Sequence, residues 1–436
     1  MDGIKTVTLS DGIRFHTMYD SRFKRCRITI ALLTELSEEY VSDNALVFGL
    51  LKNATAKTPS FTEIGKRLAA LYGAGMSDSV SKFGSCQLLS LGVGCMADAF
   101  ALNGESISGE LASILCEVAF DPYREQDGTL SKKYTALEKE RLLDDIRAVI
   151  NDKRGYAIGR TVQLLARGKK FGLPRLGSEE SAENITPESQ SAAYERLLKT
   201  AQIEILCVGN GDFDAVKETF VKALENVERS YVPFSEHEIL PRVDEVIYHS
   251  EKMSISQAKM VIAFNAGTKE TDELLPAMRL MNAMLGGTVT SKLFVHVREE
   301  KSLCYYCSSR YDRIKSLLMI DSGVQQQNLD IAYEAILEQV EAMKQGDFTE
   351  DEMEQARLAV INSYRSVSDN PASLESWYLG QLLSSRMYTP ADEIENLKKV
   401  TREQIIEAAN RLQLDTVYRL ESDGAPGAAE EEEDEE

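Results

Sequence analysis

The sequence predicts an α+β protein made of two homologous units, each an antiparallel sheet with helices packed on one face. Three observations carry this expectation. The chain has 436 residues, more than one hydrophobic core organises. Segments alternating apolar and polar residues are interleaved with segments whose apolar residues recur at helical spacing. The order of those segments then starts again after half the chain, as in a duplicated domain: "SKFGSCQLLSLGV" corresponds to "DRIKSLLMIDSGV", and "LEKERLLDDIRAV" to "MEQARLAVINSYRSV".

In "RFKRCRITIALL", Cys26, Ile28, Ile30 and Leu32 fall on one face and Arg25, Arg27 and Thr29 on the other, which predicts a half-buried strand. A helix follows over "NALVFGLLKNATAK". The next opens at Ser60 with Glu63 three residues on, carries Ile64, Leu68 and Leu71 on one stripe, and stops at Gly73. A strand over "SCQLLSLGVG", helical patterns near 105–120, 130–150, 155–167 and 187–199, and a strand over "QIEILCVGN" complete the first unit, expected at 1–226.

Residues 227–245, with two prolines and little periodicity, predict a linker. The second unit, expected at 246–423, repeats the order: the strand "AKMVIAFNAG", the helix "DELLPAMRLMNAMLGG" and the strand "LLMIDSGV". Two helices close it. One carries Tyr333, Ile336, Leu337, Val340 and Met343 on a stripe, and the next opens with Thr349 and Glu352 at capping-box spacing.

The net charge of −21 argues against a nucleic-acid binder, whose affinity comes from basic side chains on phosphates. Part of that charge is local, since 424–436 ends in seven consecutive acids, a self-repelling block expected to be disordered. No stretch approaches the ~20 apolar residues that cross a bilayer, and the start lacks the pattern of a secretory signal. The expectation is a cytoplasmic protein without membrane contact. Seven scattered cysteines fit reduced thiols. The pair in "CYYC" lies in an alternating run, where Cys304 and Cys307 are expected on opposite strand faces. The single G-x-G of "GNGDF" lacks the third glycine of a nucleotide loop.

The stretch "MLGGTVTSKLFVHVREEKSLCYYCSS" resembles a segment of the pitrilysin/insulinase peptidase family, with consensus LGG, then S-R-L-F, then L-R-E-x-x-G-L-x-Y. Gly286, Gly287, Ser291, Leu293, Phe294, Arg298, Glu299, Leu303 and Tyr305 fall in register; Lys292 replaces the usual arginine and Ser302 the usual glycine. "ILCVGNGDF" is similar to the family's strand and G-D turn at the end of the first unit. The resemblance covers nearly the whole chain and implies the fold of processing peptidases and LuxS-like metallohydrolases.

Members of that family that cleave carry H-x-x-E-H on the first helix, two histidines one turn apart for zinc and a glutamate to activate water. Aligned on this sequence, the histidine positions fall at Ala45 and Gly49 and the glutamate at Phe48. Neither alanine nor glycine has a lone pair for a metal, and phenylalanine cannot move a proton. On the later helix Glu138 matches the first glutamate, while Asp145 replaces the second, the third zinc ligand. The histidines His16, His237, His249 and His296 include no pair at ligand spacing. The expectation is no bound zinc, no cofactor and no peptidase activity in the isolated chain.

In the family's two-subunit enzymes one subunit holds zinc and the other supplies an arginine and a tyrosine toward the scissile peptide. The resemblance places that pair at Arg298 and Tyr305, with Gly286 and Gly287 near the substrate path. Both side chains donate hydrogen bonds that suit a peptide carbonyl or the oxyanion forming on it. The implied partners are a peptide substrate and a paralogous zinc-bearing subunit carrying H-x-x-E-H, in a heterodimer; a homodimer stays open. Among bacterial members, the ligand-free first helix resembles that of the elongation factor P 5-aminopentanol modification-associated peptidase-like proteins. Two alternatives belong to other classes. One is a scaffold, as with the core subunits of the respiratory cytochrome complex, and the other a protein that captures extended peptides at a sheet edge.

Overall fold

The structure is a computed structural model and describes residues 3–234, 238–269, 271–384 and 387–424. His237 and the acidic run from 430 lie outside the described residues. The strands are β1 Lys5–Ser10, β2 Ile13–Tyr19, β3 Arg25–Glu35, β4 Gly75–Phe83, β5 Cys86–Met96 and β6 Gln202–Gly209, then β7 Ile247–Met253, β8 Ala258–Asn265, β9 Cys304–Asp312, β10 Leu317–Val324 and β11 Gln413–Ser422. The helices are α1 Val41–Leu51, α2 Phe61–Ala70, α3 Ile107–Phe120, α4 Lys132–Ala148, α5 Lys153–Ala166, α6 Glu179–Glu183, α7 Pro187–Thr200 and α8 Phe213–Leu224. The second half adds α9 Leu275–Asn282, α10 Leu329–Gln345, α11 Glu350–Val367, α12 Pro371–Leu379, α13 Pro390–Lys398 and α14 Arg402–Asn410.

The six-stranded sheet runs β1-β2-β6-β3-β5-β4 and the five-stranded sheet β7-β11-β8-β10-β9. Apart from the extra β1 the two have one topology: a parallel pair (β2 with β6, β7 with β11) followed by antiparallel neighbours. The α+β, two-unit expectation holds, with mixed sheets in place of purely antiparallel ones.

The two compact units are discontinuous in sequence, unlike the contiguous halves expected at 1–226 and 246–423. One comprises 1–148, 173–236 and 367–389, and the other 149–172, 237–366 and 390–436. Each half of the chain thus contributes one helix to the other half's sheet. In the first unit, Ile28, Ile30, Leu91 and Ile205 face a core shared with α1, α3, α7 and α8. The opposite face, with Ala31, Leu33, Leu88 and Leu206, packs on Leu374 and Tyr378 of α12. In the second unit, Ile262, Phe264 and Ile320 face α9, α10 and α14, while Val261, Ala263 and Met319 meet Ala157 and Leu165 of α5.

The exchange corrects the half-buried reading of β3. Thr29 is buried and donates to Glu375 of α12, and Arg27 Nε reaches the same carboxylate at 2.6 Å. The helix that covers this face lies more than three hundred residues along the chain, so the strand's local pattern carries no sign of it.

Candidate functional site

Helix α1 is buried on nearly every side, with Asp43 the exception among its eleven residues. An apolar helix of this kind is a core element, and its few polar side chains are tied down. Asp43 accepts from Ser189 at 2.6 Å, and Asn44 bonds Gln87 at 3.1 Å and Arg196 at 2.6 Å. Ala45 and Gly49, one turn apart, line a cleft of about 200 Å3 with Asp78, Glu138, Arg141 and Asp145. Phe48 is buried in the core and does not line the cleft.

Two of the three acids of this cleft, Asp78 and Glu138, have cations of their own. Lys52 Nζ lies 2.6 Å from Asp78 Oδ1, and Arg141 donates to Glu138 Oε1 at 2.7 Å. Asn53 Nδ2 adds a second contact to Glu138 at 3.0 Å. A Cβ on Gly49 would stand 3.4 Å from Glu138 and 3.6 Å from Asp78, so both carboxylates point at the position where cleaving relatives hold a histidine. The donor set does not fit zinc. It lacks imidazole and thiolate, the usual nitrogen and sulfur ligands, and two of its carboxylates are already neutralised. Among the described residues no group of three or more histidine, cysteine or acidic side chains is placed to hold a metal ion.

The described histidines each face a carboxylate. His16 sits 2.6 Å from Glu204 and 2.8 Å from Thr6, His249 3.2 Å from Glu251, and His296 2.8 Å from Glu300.

In the second unit the family-like segment runs through two π-helical stretches, Ala283–Gly287 and Leu293–Glu300, into β9. Such turns are rare and cluster at functional sites. Gly286 is buried, and a Cβ there would come within 2.6 Å of the Ser309 amide and 2.7 Å of Leu293. Glycine lets the π-turn lie directly on β9. Gly287 is exposed, and a Cβ on its backbone would stand 3.2 Å from the Asn282 carbonyl oxygen. Arg298 is 40% exposed; its guanidinium lies over the Phe294 ring at 4.7 Å, and its Nε stands 3.6 Å from Glu299. Cation–ring contact and a long ion pair at the surface hold the fork loosely while leaving its donors accessible.

Ser302 has φ of +49°, the left-handed region. That explains the glycine found at this place in the consensus, since only glycine enters it without a side-chain penalty. Tyr305 is 57% exposed. It is the extra residue of a β-bulge: on β10, Ser322 pairs with Cys307, Gly323 with Tyr306 and Val324 with Cys304. The bulge corrects the expectation for the cysteines. Cys304 and Cys307 lie on the same face, both buried in the second core. Tyr306 turns to the other face, its ring 4.3 Å from Arg154.

Sequence reasoning missed Lys52, Asp78 and Arg141. Arg141 could have been found as the i+3 neighbour of Glu138; Lys52 and Asp78 meet only through the fold. The bulge at Tyr305 had no glycine or proline to announce it.

A family model described as the Peptidase M16 inactive domain matches residues 184–360. The chain is 29% identical over 421 residues to Probable inactive metalloprotease YmfF of Bacillus subtilis, covering 96% of this chain and 97% of that one. It is 25% identical over 251 residues to Uncharacterized zinc protease YmxG of the same bacterium, covering 56% and 59% respectively. A solved structure of a conserved protein from Enterococcus faecalis superposes with a TM-score of 0.88 at 25% identity, covering 97% of this chain and all of that one. The second-unit motif, the duplicated topology and the first helix without ligands agree with these similarities: over nearly its whole length the chain is similar to a protein named as an inactive metalloprotease, and residues 184–360 match the Peptidase M16 inactive domain.

Proposed function

We propose that the chain is the substrate-binding subunit of a heterodimeric, pitrilysin-like zinc peptidase that acts on peptides or unfolded segments in the cytoplasm. The observation that carries the reading is a contrast in polar groups. Asp78 and Glu138 of the first-unit cleft are neutralised from within, whereas Arg298 and Tyr305 present exposed donors from a well-packed frame. Zinc, and the water it activates, would belong to the partner. This chain's part would be to hold the peptide: the guanidinium fork and the phenol hydroxyl suit a carbonyl oxygen, and both interactions strengthen as negative charge develops on it. That one bacterium contains both an inactive-named and a zinc-protease-named relative supports a pairing of the two kinds. Among the described residues, no helix is long and apolar enough to cross a membrane.

A second reading, capture of an extended peptide at a sheet edge without cleavage, is favoured by β4. This strand ends the six-stranded sheet, and its residues Asp78, Ser79 and Val80 line the cleft. An edge strand offers backbone groups to an incoming strand.

Co-expression with a zinc-bearing paralogue and a quenched-fluorescence peptide assay tests the first reading. Arg298→Ala and Tyr305→Phe are expected to lower kcat by roughly 10²-fold with the two chains still associated. Unchanged turnover in both variants would remove the substrate role, and peptide binding with no cleavage by any paralogue pair would favour the second reading.

A further inference from the structure

The bulge in β9 gives "CYYC" a geometry that a regular strand would not. Cys304 and Cys307 oppose Val324 and Ser322, residues two apart on β10. A two-residue strand step spans roughly 6.6 Å between Cα atoms, within the ~4.4–6.8 Å a disulfide tolerates, whereas three regular steps span roughly 10 Å and reverse the face. Opposite Cys307, the buried Ser322 hydroxyl has no hydrogen-bond partner, leaving a donor for a thiolate beside it.

We propose that Cys304 and Cys307 form a thiol–disulfide exchange site that reacts with low-molecular-weight disulfides of the glutathione class. The Cys304 thiolate attacks one sulfur of oxidised glutathione, the S–S bond breaks, and one glutathione leaves as thiolate. Cys307 then loses its proton and attacks the Cys304 sulfur of the mixed disulfide, releasing the second glutathione. Two cysteines are oxidised to one disulfide while one oxidised glutathione is reduced to two thiols.

The first unit holds a control within the same chain. Cys26 and Cys95 are paired across β3 and β5 with their sulfurs 3.2 Å apart and are 1% and 2% exposed, against 8% for Cys304, and the Cys95 hydrogen bond together with burial pushes the Cys26 thiol far up. Ionisation of Cys26 is suppressed there, and with it nucleophilic attack. Cys307 is pushed up in the same way, and Cys304, the more exposed of its pair, is the member left to ionise. The hydrogen bond from Cys307 and the positive charge of Arg298 hold the thiol below its ordinary range against the opposing effect of burial. Because Tyr305 lies between the two cysteines, closing the bridge also fixes the backbone of the tyrosine; on the substrate-binding reading above, peptide affinity then changes with oxidation.

The full-length protein is equilibrated at graded ratios of reduced to oxidised glutathione, quenched in acid, alkylated and digested with trypsin. The peptide Ser302–Arg310 contains both cysteines and no other. The expected result is that this peptide loses two hydrogens and escapes alkylation at ratios where Cys26 and Cys95 are still alkylated. In Cys307→Ser, Cys304 is expected to accumulate a glutathione adduct. Full alkylation of Ser302–Arg310 while Cys26 and Cys95 oxidise, or no adduct on Cys304 in Cys307→Ser, would overturn the site. Peptide binding by fluorescence anisotropy in both redox states is the separate arm. An affinity change of several-fold supports the link to Tyr305, and equal affinities overturn that link while the mass readout still decides the exchange site.

Discussion

The cleft beside α1 and the arm that carries Arg298 and Tyr305 treat polar groups in opposite ways. In the cleft, Asp78 and Glu138 are each given a cation from this chain, Lys52 and Arg141 respectively, while Asp145 is exposed. On the arm, the arginine lies on a ring with one long ion pair and the tyrosine stands more than half exposed. The difference follows from burial. A carboxylate in a partly buried cleft must acquire a partner or lose its charge, whereas donors at the surface are satisfied by water and stay available to a ligand.

The largest expected effect comes from forcing the base back onto the cleft helix. Phe48→Glu puts an unpaired carboxylate into the core, and we expect a loss of more than about 4 kcal/mol, read by urea unfolding. A small loss would mean that this face of α1 opens toward the cleft. The arm has one comparably rigid point. Gly286→Ala drives a methyl group onto the Ser309 amide, and should cost about 1–3 kcal/mol while shifting the backbone of β9.

Removing the cleft's compensating charge is gentler. Arg141→Met leaves Glu138 with Asn53 alone, but the arginine is over half exposed, so about 1 kcal/mol is expected. No change at all would deny the neutralisation its role. The smallest effect has the opposite sign. Ser302→Gly relieves the left-handed backbone at the base of the arm against the entropy glycine adds to the unfolded chain, a net gain of about 0.5 kcal/mol.

Much of this was legible in the sequence wherever the cause is local. Ser60 caps α2 and Thr349 with Glu352 form the reciprocal box that opens α11. Asp212 of the G-D turn caps α8, and the stripe of Ile336, Val340 and Met343 is buried as its spacing predicts. The duplication was legible too, because both copies keep one order of elements. The exchange of α5 and α12 was not, since a helix's apolar stripe states that it must be covered and not by which sheet. Trp377 illustrates the point: it packs against the cluster that holds Met18 and Leu206 of the first unit's sheet. The same holds for the site. The missing ligands at Ala45 and Gly49 are read from residue types alone, whereas the Lys52–Asp78 pair and the bulge that turns Cys304 and Cys307 to one face depend on strand pairing.

The central claim is that this chain offers no zinc site of its own, and metal content tests it most directly. The protein is purified alone to homogeneity, and zinc per chain is measured alongside cleavage of an unfolded peptide with and without chelator. The account predicts zinc far below one per chain and no chelator-sensitive cleavage. One zinc per chain, with proteolysis that the chelator abolishes, would contradict it.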